Sequence, residues 1–289
     1  MTEIRISLPP GEEMPAKAYL MKICGISGGL WKRIKYSGTF ARNGLPAIAA
    51  RTAIRDGDIL SYALPIVSTV TPETLPLTIA YEDDDILIID KPAGRLVHPT
   101  TKEMHSTIAN AVLGLYAARG ETRDFHPCHR LDRNTTGLLL IAKRPEVQYY
   151  FTKHRDTVRR AYLALIEGQL TPAAGIIDAP IARALPSIIL RRVAPDGKPA
   201  RTHYATEAAN DRYSLLRLTL ETGRTHQIRV HLAHLGHPLL GDDLYGGRTA
   251  EIARHALHSA RLSLRLPRTG EPMTVEAPLP EDMKRLTDF

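Results

Sequence analysis

The chain reads as short apolar runs punctuated by turn residues. Residues 86–90 (ILIID) and 137–142 (GLLLIA) are nearly continuous apolar stretches. Runs of this length predict buried strands rather than helices. Residues 161–167, 188–193, 202–208 and 213–221 also read as strands. Helical patterns appear at 106–118, at 145–155, where Pro145 takes the favoured first position, and at 225–235, where Ile228, Leu232 and Leu235 share one side. Several strands follow one another with no helix between them, which predicts an α+β fold with much antiparallel pairing.

Residues 1–65 carry a different rhythm. Helical patterns at 16–24 and 30–36 flank the turn Gly25-Ile26-Ser27-Gly28-Gly29, with Ser27 as a helix cap. Asn43-Gly44 predicts a tight hairpin turn, Asp56-Gly57-Asp58 another turn, and 59–64 a strand. Lys17, Lys22, Lys32, Arg33, Lys35, Arg42, Arg51 and Arg55 make this unit basic. Residues 66–76, rich in Pro and Thr, read as a linker to a larger unit over 77–289.

Composition changes this picture in a few respects. The 289 residues are 43% hydrophobic and 24% charged, as in a folded chain. The formal net charge of +7 favours an anionic partner, with nucleic acid first and an anionic membrane surface second. Two cysteines, Cys24 and Cys128, offer neither a disulfide framework nor a CxxC metal knuckle, which fits the cytoplasm. The N-terminus does not read as a secretory signal, and no stretch approaches 18 apolar residues, so no membrane span is expected.

No phosphate loop, GxGxxG fingerprint or GxSxG elbow is present, so no nucleotide cofactor is expected. His226, His231, His234 and His237 crowd together, and His231 and His234 would share a helix face. Without an HExxH or an acidic partner at helical spacing, a metal is not expected. More telling is His129-Arg130-Leu131-Asp132-Arg133-Asn134-Thr135-Thr136-Gly137, where a carboxylate sits between arginines at the mouth of a buried strand. A carboxylate there needs a cationic partner, in a functional site or in a plain loop salt-bridge network. In Gly223-Arg224-Thr225-His226-Gln227-Ile228-Arg229, a strand end meets a helix start. Arg224 could pair there with a carboxylate or phosphate, or be a surface arginine at a turn.

These segments carry a resemblance. Lys91-Pro92-Ala93-Gly94, His129 to Gly137 and Gly223 to His231 occur in the order and spacing of the RluA-type pseudouridine synthases. YEDDDILIIDKPAG, HRLDRNTTGLLLIAK, TGRTHQIRVHLAHLGHPLLGDDLYGG and LHSARLSL extend the match over nearly the whole chain. GISGGLWKRIK, RNG and DGD make the N-terminal unit similar to an S4-like RNA-binding domain. Departures are Asn134-Thr135-Thr136 where Asp-Thr-Ser is common, Asp90 where Asn is common, and Arg160 for a frequent Lys.

The resemblance implies a pseudouridine synthase fold, a central mixed and largely antiparallel sheet flanked by helices and loops, with a small N-terminal S4-like α/β domain. It implies isomerisation of uridine in structured RNA, ribosomal RNA first and transfer RNA as the alternative. No cofactor is needed, because nothing is oxidised or imported. Asp132 is then the catalytic carboxylate and Arg224 its ion-pair partner. Tyr162 stacks on the uracil, with a further role as general base at C5. His129, Arg130, Arg133, Lys91, Thr225 and His226 fall to substrate binding, and Lys32, Arg33, Lys35 and Arg42 to RNA phosphates. A monomer with no membrane partner is expected. The rivals are a non-catalytic RNA-binding protein and a metal-dependent hydrolase built on the histidines.

Overall fold

The computed structural model describes residues 2–65 and 68–287, and among these the chain builds two main sheets with separate cores, besides two two-stranded ones. In the larger part, ten strands form one mixed sheet. Its order is Ala174–Asp178, Arg201–Ala209, Tyr213–Leu220, Arg159–Glu167, Leu257–Arg265, Thr136–Ala142, Ile86–Lys91 and Thr78–Glu82. Pro272–Glu276 pairs with Leu257–Arg265, and His126–Pro127 pairs with Thr136–Ala142. Pairing is antiparallel except where Thr136 and Gly137 run parallel to His258 and Ser259.

The apolar runs are strands because both faces of the sheet are covered. Leu87, Ile89, Leu139 and Ile141 point into one core, where Val112 and Tyr116 of the helix Ile108–Ala118 pack. Ile86, Ile88, Leu138 and Leu140 point into the other, against Val147 and Phe151 of the helix Pro145–Lys153. Period-2 alternation of apolar residues onto two buried faces leaves no polar positions to mark a strand. Gly137 is required where the two central strands meet. Its φ is +100°, and a Cβ there would lie 2.3 Å from the Ser259 carbonyl oxygen.

Several expected elements differ at their ends, three of them near the site. The helix expected from 225 starts later, at Gln227–His234, because His226 takes a left-handed φ of 58°. Of 188–193, only Arg191–Val193 is a strand, paired with Ile181–Arg183. The helix over 145–155 stops at Lys153 and gives way to a 3-10 turn, Arg155–Thr157.

The smaller sheet runs Thr2–Arg5, Ile59–Ala63, Thr39–Arg42 and Leu45–Pro46, all antiparallel. Its core holds Ile6, Leu20, Ile34, Ile54 and Leu60. Ser27 caps the helix Gly28–Ser37 by accepting the Leu30 N–H at 2.9 Å. Asn43 and Gly44 both have positive φ in the two-residue turn. Residues 66 and 67 of the expected linker lie outside the described residues. From Val70 onward the segment is docked: Asn110 Nδ2 donates to the Thr71 carbonyl at 2.8 Å, and Val70 and Leu77 pack on the core.

Candidate active site

Asp132 sits in the turn before the central strand Thr136–Ala142, closed by the Thr135 N–H donating to its carbonyl at 3.2 Å. Leu131 anchors the turn in the core, and Thr135 bonds His255 at 2.8 Å. The Asp132 side chain is 18% exposed and faces a cavity of about 420 Å³. That is the size of a small-ligand pocket. The cavity wall carries His129, Arg130, Arg160, Tyr162, Arg224 and His226.

The cation that meets Asp132 is Arg229, and the expected pairing with Arg224 does not form. Arg229 Nη1 lies 3.3 Å from Asp132 Oδ2. Its Nε and Nη2 donate to Asp242 Oδ2 and Oδ1, each at 2.7 Å. Asp242 is fully buried, and such a carboxylate requires a charge-assisted partner of this kind. The Tyr245 ring lies 5.0 Å from the guanidinium carbon, and its hydroxyl bonds His226 Nδ1 at 2.8 Å. His226 Nε2 stands 3.9 Å from Asp132 Oδ2. Burial lowers the His226 pKa, so the ring is neutral at pH 7 and its attraction to the carboxylate is weak.

Arg224 instead lies exposed at the cavity mouth, with Nε donating to the Pro199 carbonyl at 3.0 Å. The reason is the helix start. The Arg224 N–H is tied to Gln227 Oε1 at 2.9 Å, in the turn that precedes the helix, whereas Arg229 falls on a helix buried nearly all round. A charged residue inside such a helix must find partners, and that signal in QIRVHL could have identified it.

Two residues expected to bind substrate are occupied elsewhere. Lys91 is completely buried, its ammonium donating to the carbonyls of Pro92, Arg95 and Arg133 at 2.8, 3.0 and 2.8 Å. Burial pushes it down to about 7, and the Asp132 charge opposes that shift. Three carbonyl acceptors favour the three-proton ammonium, and we take it as charged. Arg133 is paired with Glu103 through two bonds, at 3.1 and 2.5 Å, outside the cavity.

His129 accepts the Leu140 N–H through Nε2 at 3.1 Å, and burial pushes it down to about 3. It is a neutral wall residue that ties the Asp132 loop to the strand. Tyr162, 4% exposed on Arg159–Glu167, shows its ring to the cavity, and burial raises its phenol pKa. Arg130 and Thr225 also line the cavity. Of the histidine cluster, His231 is buried between Thr202 Oγ1 and the Ala179 carbonyl, both at 2.9 Å, while His234 is exposed. In the small unit Lys32, Arg33 and Lys35 are exposed, whereas Arg42 is held by Asp58 at 2.8 Å.

Sequence missed Asp242, Tyr245, Arg254 and His255. Arg254 clamps Asp282 at 2.7 and 2.8 Å and reaches the Asn134 carbonyl at 3.3 Å, supporting the loop from behind. Among the described residues no helix is long and apolar enough to cross a membrane.

Residues 85–234 match the RNA pseudouridylate synthase family model. An uncharacterised RNA pseudouridine synthase of Bacillus subtilis (strain 168), YjbO, is 40% identical over 94% of this chain and 98% of its own length. A Ribosomal large subunit pseudouridine synthase D of Vibrio cholerae is 40% identical over 86% of this chain and 82% of its own. Among solved structures, Human RNA Pseudouridylate Synthase Domain Containing 1 superposes with a TM-score of 0.59 at 28% identity, covering 71% of this chain and 84% of that one.

Proposed function

This chain belongs to the RNA pseudouridylate synthase family and is an isomerase of uridine in RNA, and on that footing we propose that Asp132 is its catalytic carboxylate and ribosomal RNA its substrate. The observation that carries the catalytic reading is the ionic arrangement in the cavity: Asp132, partly exposed, is held by a cation that is itself clamped from behind. The ribosomal target is supported by similarity to the Vibrio cholerae synthase over most of both chains.

The reaction breaks the N1–C1′ bond, turns the detached uracil, and joins C5 to C1′. The C5 proton is lost and N1 gains one, so atoms balance with no added group. Asp132 serves either as nucleophile at C1′ or as base of an elimination. Both routes need it ionised beside the sugar, which Arg229 favours. Tyr162 offers its ring to the uracil. Burial keeps its hydroxyl protonated near neutrality, which disfavours a general-base role at C5. Asp132, freed when C5 bonds to C1′, is then the acceptor for the C5 proton.

The uridine enters by leaving its stack. Arg130, Arg160 and Arg224 ring the cavity and meet the phosphates on either side of it. The basic helix Gly28–Ser37 in the N-terminal unit, which we read as S4-like, extends the contact through Lys32, Arg33 and Lys35. We read the protein as a cytoplasmic monomer.

The test is pseudouridine mapping across total RNA from cells with and without this gene, complemented by wild type or Asp132→Asn. Loss of specific sites in large-subunit ribosomal RNA, restored by wild type alone, is the expected result. Restoration by the Asn variant overturns Asp132, and lost sites confined to transfer RNA overturn the target.

A further inference from the structure

The strands Ile181–Arg183 and Arg191–Val193 form a small hairpin outside the main sheet. Its tip is unusual for a protein surface. Leu185, Ile188 and Ile189 are 81%, 70% and 56% exposed within a stretch of five residues. Clustered exposed aliphatics mark a contact surface, where single ones do not.

The tip is also cross-braced by its own hydrogen bonds. Arg191 Nη1 donates to the carbonyls of Ile188, Ile189 and Leu190 at 3.2, 2.8 and 2.9 Å. Ser187 Oγ accepts the N–H groups of Ile189 and Leu190, and the Ala184 N–H donates to the Leu190 carbonyl at 3.0 Å. With much of its polar backbone bonded within the loop, the tip holds its aliphatic side chains outward.

The hairpin root is tied to the active-site wall through Tyr245. The Arg191 N–H donates to the Tyr245 hydroxyl at 3.1 Å, the same hydroxyl that bonds His226 beside Asp132. Arg191 lies three positions along the chain from Ile188, a reach of at most about 10 Å. Arg183 and Arg192 are exposed on the stem, so the aliphatic tip is flanked by positive charge.

We propose that this tip is a wedge for the substrate RNA: Leu185, Ile188 and Ile189 pack against bases beside the uridine in the cavity, while Arg183 and Arg192 hold the adjoining phosphates. This rests on the RNA isomerase activity of the chain. Aliphatic side chains displace stacked bases in nucleic acids, and removing a neighbour's stacking lowers the cost of extruding a nucleotide. The cationic stem and the link through Tyr245 and His226 to the Asp132 pocket favour RNA over a protein partner. The tip acts on opening of the RNA, not on bond chemistry.

The test compares wild type with Leu185→Ser/Ile188→Ser/Ile189→Ser, using RNA from cells lacking the gene, either refolded or fragmented into short single strands. The initial rate of pseudouridine formation is read at the sites wild type modifies. The triple variant should lose at least about tenfold on refolded RNA and less than about twofold on fragments. An unchanged rate on refolded RNA overturns the wedge, as does an equal loss on both. A photo-crosslinker at position 189 in Asp132→Asn protein gives a second readout independent of turnover. Crosslinks should fall on nucleotides flanking the modified uridine. Crosslinks to a second copy of the chain, or to RNA remote from the site, overturn the proposal.

Discussion

Arg229 approaches Asp132 with a single nitrogen, Nη1 at 3.3 Å, while Asp242 holds the rest of its guanidinium in two 2.7 Å bonds. The fork is thus committed to the buried carboxylate, and Asp132, proposed as the catalytic one, receives a looser contact. This asymmetry keeps Asp132 oriented and leaves it free to reach a sugar. It also separates the roles of the two arginines in the motif, since Arg224 contacts neither carboxylate.

Arg229→Ala takes from Asp132 and the buried Asp242 the guanidinium they share. Activity should fall by at least about a thousandfold and stability by about 3–5 kcal/mol. Arg224→Ala should weaken RNA affinity by about tenfold and spare single-turnover kcat at saturating RNA. Kinetics on both variants decide this, and a Arg224→Ala enzyme as slow as Arg229→Ala would reverse the assignment.

Asp242→Asn keeps the shape but gives up the charge that fixes Arg229. A misplacement of the guanidinium by an ångström is worth about a hundredfold in rate. We expect kcat to fall by that order with KM nearly unchanged, because Asp242 is buried and touches no substrate. A rise in KM at constant kcat would assign Asp242 to RNA binding instead.

Lys91→Met removes the donor to three carbonyls that organise the loops on both sides of Asp132. Buried acceptors without partners are costly, so thermal denaturation should show a loss of at least about 2 kcal/mol. RNA affinity per folded molecule should persist. Full stability with lost binding would restore Lys91 to the substrate contacts.

Acid should destabilise the fold through buried neutral histidines. His258 is pushed down to about 4 by burial, and His129 to about 3. The unfolded chain takes up a proton at each near pH 6.5, before the folded protein does. Stability is therefore complete above pH 6.5 and is lost as pH falls toward 4 for His258 and toward 3 for His129, by up to about 1.4 kcal/mol per pH unit for each. Denaturation midpoints measured from pH 7 to pH 4 should fall steadily, and His258→Asn should flatten the slope. A pH-independent midpoint in the wild type would mean these rings are protonated when folded.

The sequence by itself determined much of this protein. The runs ILII and LLLI fixed the two central strands, because only a strand covered on both faces accommodates so short and so continuous an apolar run. Ser27 and Asn43-Gly44 fixed a cap and a turn through purely local bonding and backbone preference. The carboxylate at a strand entrance demanded a cation by its position, and the family resemblance of the motif around it singled out Asp132. Tertiary structure decided which cation answered it. Arg224 and Arg229 are five positions apart, and the left-handed His226 between them sets where the helix begins and so which arginine turns inward. It likewise decided that Lys91 would be spent on carbonyls, one of them 42 residues away, and Arg133 on Glu103, 30 residues away. Asp242 and Tyr245 came to Asp132 in the same way, by long-range packing that no local pattern encodes.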